Sequence, residues 1–232
     1  MNKQLRVLTL IATVGFSGAA NAALVSRLGG AAVYDTDFDI TWLVDANLAA
    51  SNTFGVSGIA GSGIMNWGTA QSWIGAMNTA SYLGYSDWRL PTTLQPDASC
   101  ANQAIVSHGL SCSGSEMGHL FYDELGGVAG TDIQITHNSF LSLFSNLQSD
   151  VYWSGTEYAP DSTNKAWVFG FRYGGQDPDF KFGSNLYALA VRPGDIVAVP
   201  APAAAWLFGS GLLGLVGVAR RKARTFINIK TN

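Results

Sequence analysis

Every acidic residue of this chain lies in its interior, and each end carries an apolar segment with bases beside it. The 16 Asp and Glu fall between Asp35 and Asp195. Lys3 and Arg6 stand near the start; Arg220, Arg221, Lys222, Arg224 and Lys230 stand near the end. Residues 23–199 set six bases against those 16 acids, a net charge of −10. The overall −3 is therefore a cancellation between parts suited to different environments.

The ends read as export and retention signals. Val7 to Phe16 is an apolar run too short to span a bilayer, and it follows Lys3 and Arg6. Ala20-Asn21-Ala22 has the small-x-small form of a signal-peptidase site, so residues 1–22 read as a signal peptide cut after Ala22. Ala203 to Ala219 holds no charge, and as a helix it would rise roughly 25 Å, near the lower limit for a span. Arg220, Arg221 and Lys222 follow at once as a topology stop, so 203–219 is expected as a transmembrane helix and 220–232 as a basic cytoplasmic tail. Pro200 and Pro202 keep the 196–202 linker extended.

Val199-Pro200-Ala201-Pro202-Ala203, the apolar run after it and the basic cluster resemble the PEP-CTERM sorting signal, in its Val-Pro-Leu-Pro-Ala form. Ala201 departs from that form, and Ala223 to Asn232 extends past the usual end. The resemblance implies recognition by an exosortase after passage through the secretory translocon, in a Gram-negative bacterium that makes exopolysaccharide or biofilm. It implies a protein held in the inner membrane for a time or for good, then at the cell surface or outside.

Composition narrows the middle. Aromatic content of 12% and hydrophobic content of 47% exclude a disordered chain, and the absence of a basic stripe argues against nucleic acid. Asn66 is expected to cap a helix whose apolar stripe is Trp67, Ala70, Trp73, Ile74 and Met77. Ser113 and Glu116 have the spacing of a capping box for a second helix, which Gly126-Gly127 stops. Short strands are expected at Val33-Tyr34, Ile40–Val44, Val151–Ser154, Ala166–Phe171 and Tyr187–Val191.

Several of these segments resemble the DUF1566 family, also called the Lcl C-terminal domain. They include Tyr34 to Leu43, Ser86-Asp87-Trp88-Arg89-Leu90-Pro91-Thr92, Ser115 to Leu120, Val151 to Thr156 and Ala188 to Arg192. The likeness extends over roughly residues 33–195, within a domain expected at 23–195. Its Arg-Leu-Pro-Thr and Val-Arg elements also occur in the formylglycine-generating family. The resemblance implies an α+β, C-type-lectin-like fold, with two helices packed on a small twisted antiparallel sheet. The family namesake is a surface adhesin that binds glycosaminoglycans.

The candidate sites are few. Cys100 and Cys112 are expected to form a disulfide once exported, since the count leaves no thiol over. Asp35, Asp37 and Asp39 alternate as Ca²⁺ ligands can, yet lack the Gly and Glu of an EF-hand loop; a solvated turn is the other reading, and holds also for Asp177-Pro178-Asp179. Glu116 and His119 share a helical face, with capping expected for Glu116 and a local hydrogen bond for His119. Most tryptophans fall on core stripes, leaving Tyr158 and Tyr173 as candidates for ligand contact. Arg89 and Arg192 are expected to pair with internal carboxylates. No nucleophile elbow or metal spacing is present, so no cofactor and no catalytic residue is expected. These features point to a non-enzymatic envelope or matrix protein, with a carbohydrate-binding adhesin module as the alternative and an enzyme related to the formylglycine-generating fold as a third reading.

Overall fold

A computed structural model of the chain describes residues 24–196. The signal segment with Ala20 and Ala22, the proline motif at 199–203, the expected membrane helix at 203–219 and the basic cluster at 220–222 lie outside the described residues. Strands β1 (Leu24–Arg27), β2 (Ala32–Asp35) and β3 (Ile40–Leu43) form an antiparallel meander, and β9 (Val191–Pro193) adds to β3. Strands β6 (Val151–Glu157), β7 (Lys165–Gly170) and β8 (Gly175–Phe180) form a second meander. A short hairpin with a three-residue loop joins the two-residue strands β4 (Asn102–Gln103) and β5 (Ser107–His108).

The central strands β2, β3, β6 and β7 send buried side chains to both faces, which explains why they show no simple alternation. Val33 pairs with Trp42 and Tyr152 with Phe169, and all four face one core. Their neighbours Ala32, Leu43, Trp153 and Val168 point the other way into a second core. Helix α1 (Trp67–Thr79) fills the second core with Ala70, Trp73, Ile74 and Met77, the stripe expected from sequence. Asn66 Oδ1 caps it by accepting from Thr69 N–H at 2.9 Å. Helix α2 (Glu116–His119) and the π turn Leu120–Glu124 supply Met117, Leu120 and Phe121 to the first core.

The fold expectation needs correction. The described residues form three small sheets, and the helices are one of 13 residues and one of four that continues into a π turn. They lie in different cores instead of together on a single C-type-lectin-like sheet. Among the described residues no helix is long and apolar enough to cross a membrane; the helix expected at 203–219 lies outside them.

Two local differences have clear causes. Ser115, not Ser113, takes the cap position of α2, and Glu116 makes no capping box. Its carboxylate instead holds the Arg89 guanidinium at 2.8 and 2.6 Å and accepts the Thr92 N–H at 2.7 Å. A paired charge is worth more to a buried carboxylate than a neutral cap. Residues 187–190 are not a ladder strand but a seam between sheets. Trp153 N–H donates to Tyr187 O and Leu43 N–H to Ala190 O, at 2.9 and 3.0 Å.

Candidate functional site

Tyr173 stands beside a concavity of about 250 Å³ on the β7–β8 side of the second sheet. Its floor is bare because Gly170 and Gly175 are direct cross-strand partners. Asp177 and Asp179 line the concavity together with Val151 and Val168. Tyr173 is 52% exposed, and the Arg172 guanidinium lies 5.3 Å from its ring centre. The Asp177-Pro178-Asp179 segment, read as a turn, is the middle of β8, where Pro178 pairs with Trp167. Asp179 Oδ1 accepts from Ser184 Oγ at 3.0 Å, which fixes its carboxylate. Desolvation raises the pKa of Asp177 above the ordinary carboxylate value, and His108 partly offsets this. An exposed aromatic face, a glycine floor and two carboxylates suit a polyhydroxylated ligand: the ring takes C–H faces and the carboxylates accept hydroxyl protons.

A larger hollow, about 470 Å³, lies between Gln95, Pro96, residues 103–107 and Ala159-Pro160. It offers neither an aromatic face nor a charged group, and its glutamines are engaged. Gln95 Nε2 donates to Ser107 O at 2.6 Å, and Gln103 Nε2 to Asp97 O and Cys100 O at 2.8 Å.

The other sequence-selected residues are distributed as follows. Tyr158 is half-buried, with its ring edge-on to Trp167 at 5.4 Å, outside the concavity. Cys100 and Cys112 form a disulfide; both sulfurs are thereby spent, so their proximity to Asp97 does not make a thiolate metal site. Asp35, Asp37 and Asp39 do not share one centre. Asp37 is exposed and Asp39 accepts from Tyr34 Oη at 2.8 Å. Asp35 is buried, where its Oδ1 accepts the N–H groups of Asp37 and Phe38, each at 3.1 Å. Arg89 and Arg192 both hold carboxylates in bidentate pairs, Arg192 with Asp87 at 2.8 Å twice.

His119 turns out to have richer surroundings than its spacing from Glu116 suggested. Its ring stacks on Phe38 at 4.1 Å. Nδ1 lies 3.1 Å from Asp123 Oδ2, and Nε2 faces Asp35 and Glu124. Burial by itself lowers the imidazolium pKa, but the nearby carboxylates of Asp35, Glu124 and Asp123 outweigh it and raise the value to about 10. The sequence signal for this cluster is the i, i+4 spacing of His119 and Asp123; Asp35, far away in sequence, carries none.

Comparison with known families matches the Lcl C-terminal domain to residues 31–192. A comparison with curated proteins returns no match. The matched span begins just before β2 and ends within β9, so it takes in all but one residue of each core, the disulfide loop and the Tyr173 concavity. The chain belongs to the Lcl C-terminal domain family.

Proposed function

We propose that this protein is a non-catalytic surface or matrix module that binds neutral saccharides at the Tyr173 concavity. One observation carries the reading: an exposed tyrosine, a bare Gly170–Gly175 floor and the Asp177 and Asp179 carboxylates meet in one hollow. Membership of the Lcl C-terminal domain family supports an extracellular or surface setting. The −10 charge of residues 23–199 favours neutral over acidic glycans, which like charge would repel. Isothermal titration of the full chain against neutral polysaccharide fragments tests the reading. Binding that Tyr173→Ala weakens supports it; no binding to any neutral saccharide sinks it.

The route to the surface is a second part of the same proposal. The signal segment ending at Ala22 and the Pro200–Pro202 motif ahead of Arg220, Arg221 and Lys222 support export and exosortase sorting. Replacing Pro200 and Pro202 with Ala is expected to leave an unprocessed chain in cell fractions. Unchanged processing would overturn the sorting role.

A further inference from the structure

The inside of the first core holds a polar centre that packing does not explain. His119 is 6% exposed, Glu124 3% and Asp35 0%. His119 Nε2 is fully buried and has no hydrogen-bond partner, although Glu124 Oε1 lies 3.2 Å away and Asp35 Oδ2 3.6 Å away. One donor atom from each residue lies within 4.8 Å of the other two. Three donors set this close, with the nitrogen unpartnered, leave a point between them for a shared cation.

The spacing selects the class of ion. Bonds of about 2.0–2.1 Å in a tetrahedral array hold donor atoms roughly 3.3 Å apart. The two N···O separations bracket that value. Ca²⁺ would need about six to eight oxygen ligands at longer distances. The groups behind the donors also have the arrangement that orients metal ligands. Asp123 Oδ2 sits 3.1 Å from Nδ1 and fixes the ring. Asp35 Oδ1 is held by two backbone N–H groups, and Trp42 Nε1 donates to Oδ2 at 3.4 Å. Phe38 covers the imidazole face.

We propose that Asp35, His119 and Glu124 form a structural site for one divalent transition ion, best matched by Zn²⁺, that ties the end of β2 to helix α2 and its π turn. Two carboxylates balance the ion's charge and the neutral imidazole supplies the nitrogen. The Nε2 proton passes to solvent on binding, and water completes the set.

The full chain is stripped with a chelator, dialysed against Zn²⁺, and assayed for metal content and thermal midpoint. One zinc per chain and a raised midpoint are expected. Asp35→Asn and Glu124→Gln should abolish uptake, Asp123→Asn should weaken it about 10–100-fold, and His108→Gln with His137→Gln should leave it intact. No zinc on the wild type, or equal uptake by wild type and ligand variants, overturns the site and shows His119 to be an imidazolium among carboxylates. Should the buried variants not fold, Co²⁺ bound to the His108→Gln, His137→Gln chain decides. A tetrahedral visible spectrum supports the site; the spectrum of aqueous cobalt overturns it. Saccharide binding does not enter this assay.

Discussion

Gly118 shows how one residue can fix a helix in place. A Cβ there would overlap the carbonyl oxygen of Cys112, so α2 lies against the disulfide loop only because this position is glycine. Gly118→Ala is expected to cost about 2 kcal/mol or more, since backbone must move to admit the methyl group; a urea midpoint close to wild type would show that the contact is not tight. Gly175 differs. A Cβ there would make only an ordinary contact, 3.7 Å from Asp177 Oδ2. Gly175→Ala should therefore leave stability within about 1 kcal/mol while narrowing the Tyr173 concavity and weakening saccharide binding. Tyr173→Ala should cost about 1 kcal/mol of binding, roughly fivefold in Kd. Titration of the two variants separates floor from platform. Neither glycine's role was legible in sequence, because it depends on which backbone approaches, and that is a tertiary fact.

At the scale of elements, legibility followed the strength of the local pattern. Helix α1 has an Asn cap and a single apolar stripe, and both appear as expected. Helix α2 has a capping-box spacing, yet Arg89, 27 residues earlier, takes the Glu116 carboxylate. Strands β3 and β7 are apolar on both faces, so periodicity located them without telling which face met which core. The disulfide could be read because the expected export and an even cysteine count constrain it together. Its two residues are 12 apart, and closing so short a loop is worth about 3 kcal/mol in the chain-entropy model. Replacing Cys100 and Cys112 together by Ser is expected to lower unfolding stability by up to that amount. The loss should be reproduced by reductant on the wild type. If reductant leaves the urea midpoint unmoved, the crosslink adds nothing that the packed loop lacks.

For the whole molecule, two ion pairs join segments far apart in sequence and make stability depend on acid. Arg27, at the end of β1, holds Asp195 through Nε and Nη2 at 2.7 and 2.9 Å, closing the first described strand onto the segment after β9. Arg192 holds Asp87 in the same way and lies over the Tyr85 ring at 4.3 Å. These hydrogen bonds lower the pKa of both carboxylates, with burial opposing them. An acid whose pKa is lowered by folding adds stability at pH above its unfolded value, about 3.9, and loses it as pH falls through the folded value. Both pairs are partly open to water, so each is expected to contribute less than about 1 kcal/mol. The measurement compares urea midpoints of the wild type and an Asp87→Asn, Asp195→Asn variant across pH. Near neutrality the wild type should be the more stable. Below about pH 4 the two curves should converge, because protonation does to the wild type what the amides did to the variant. A gap that stays constant into acid would mean that the amides act by packing and that charge at these two joints contributes little.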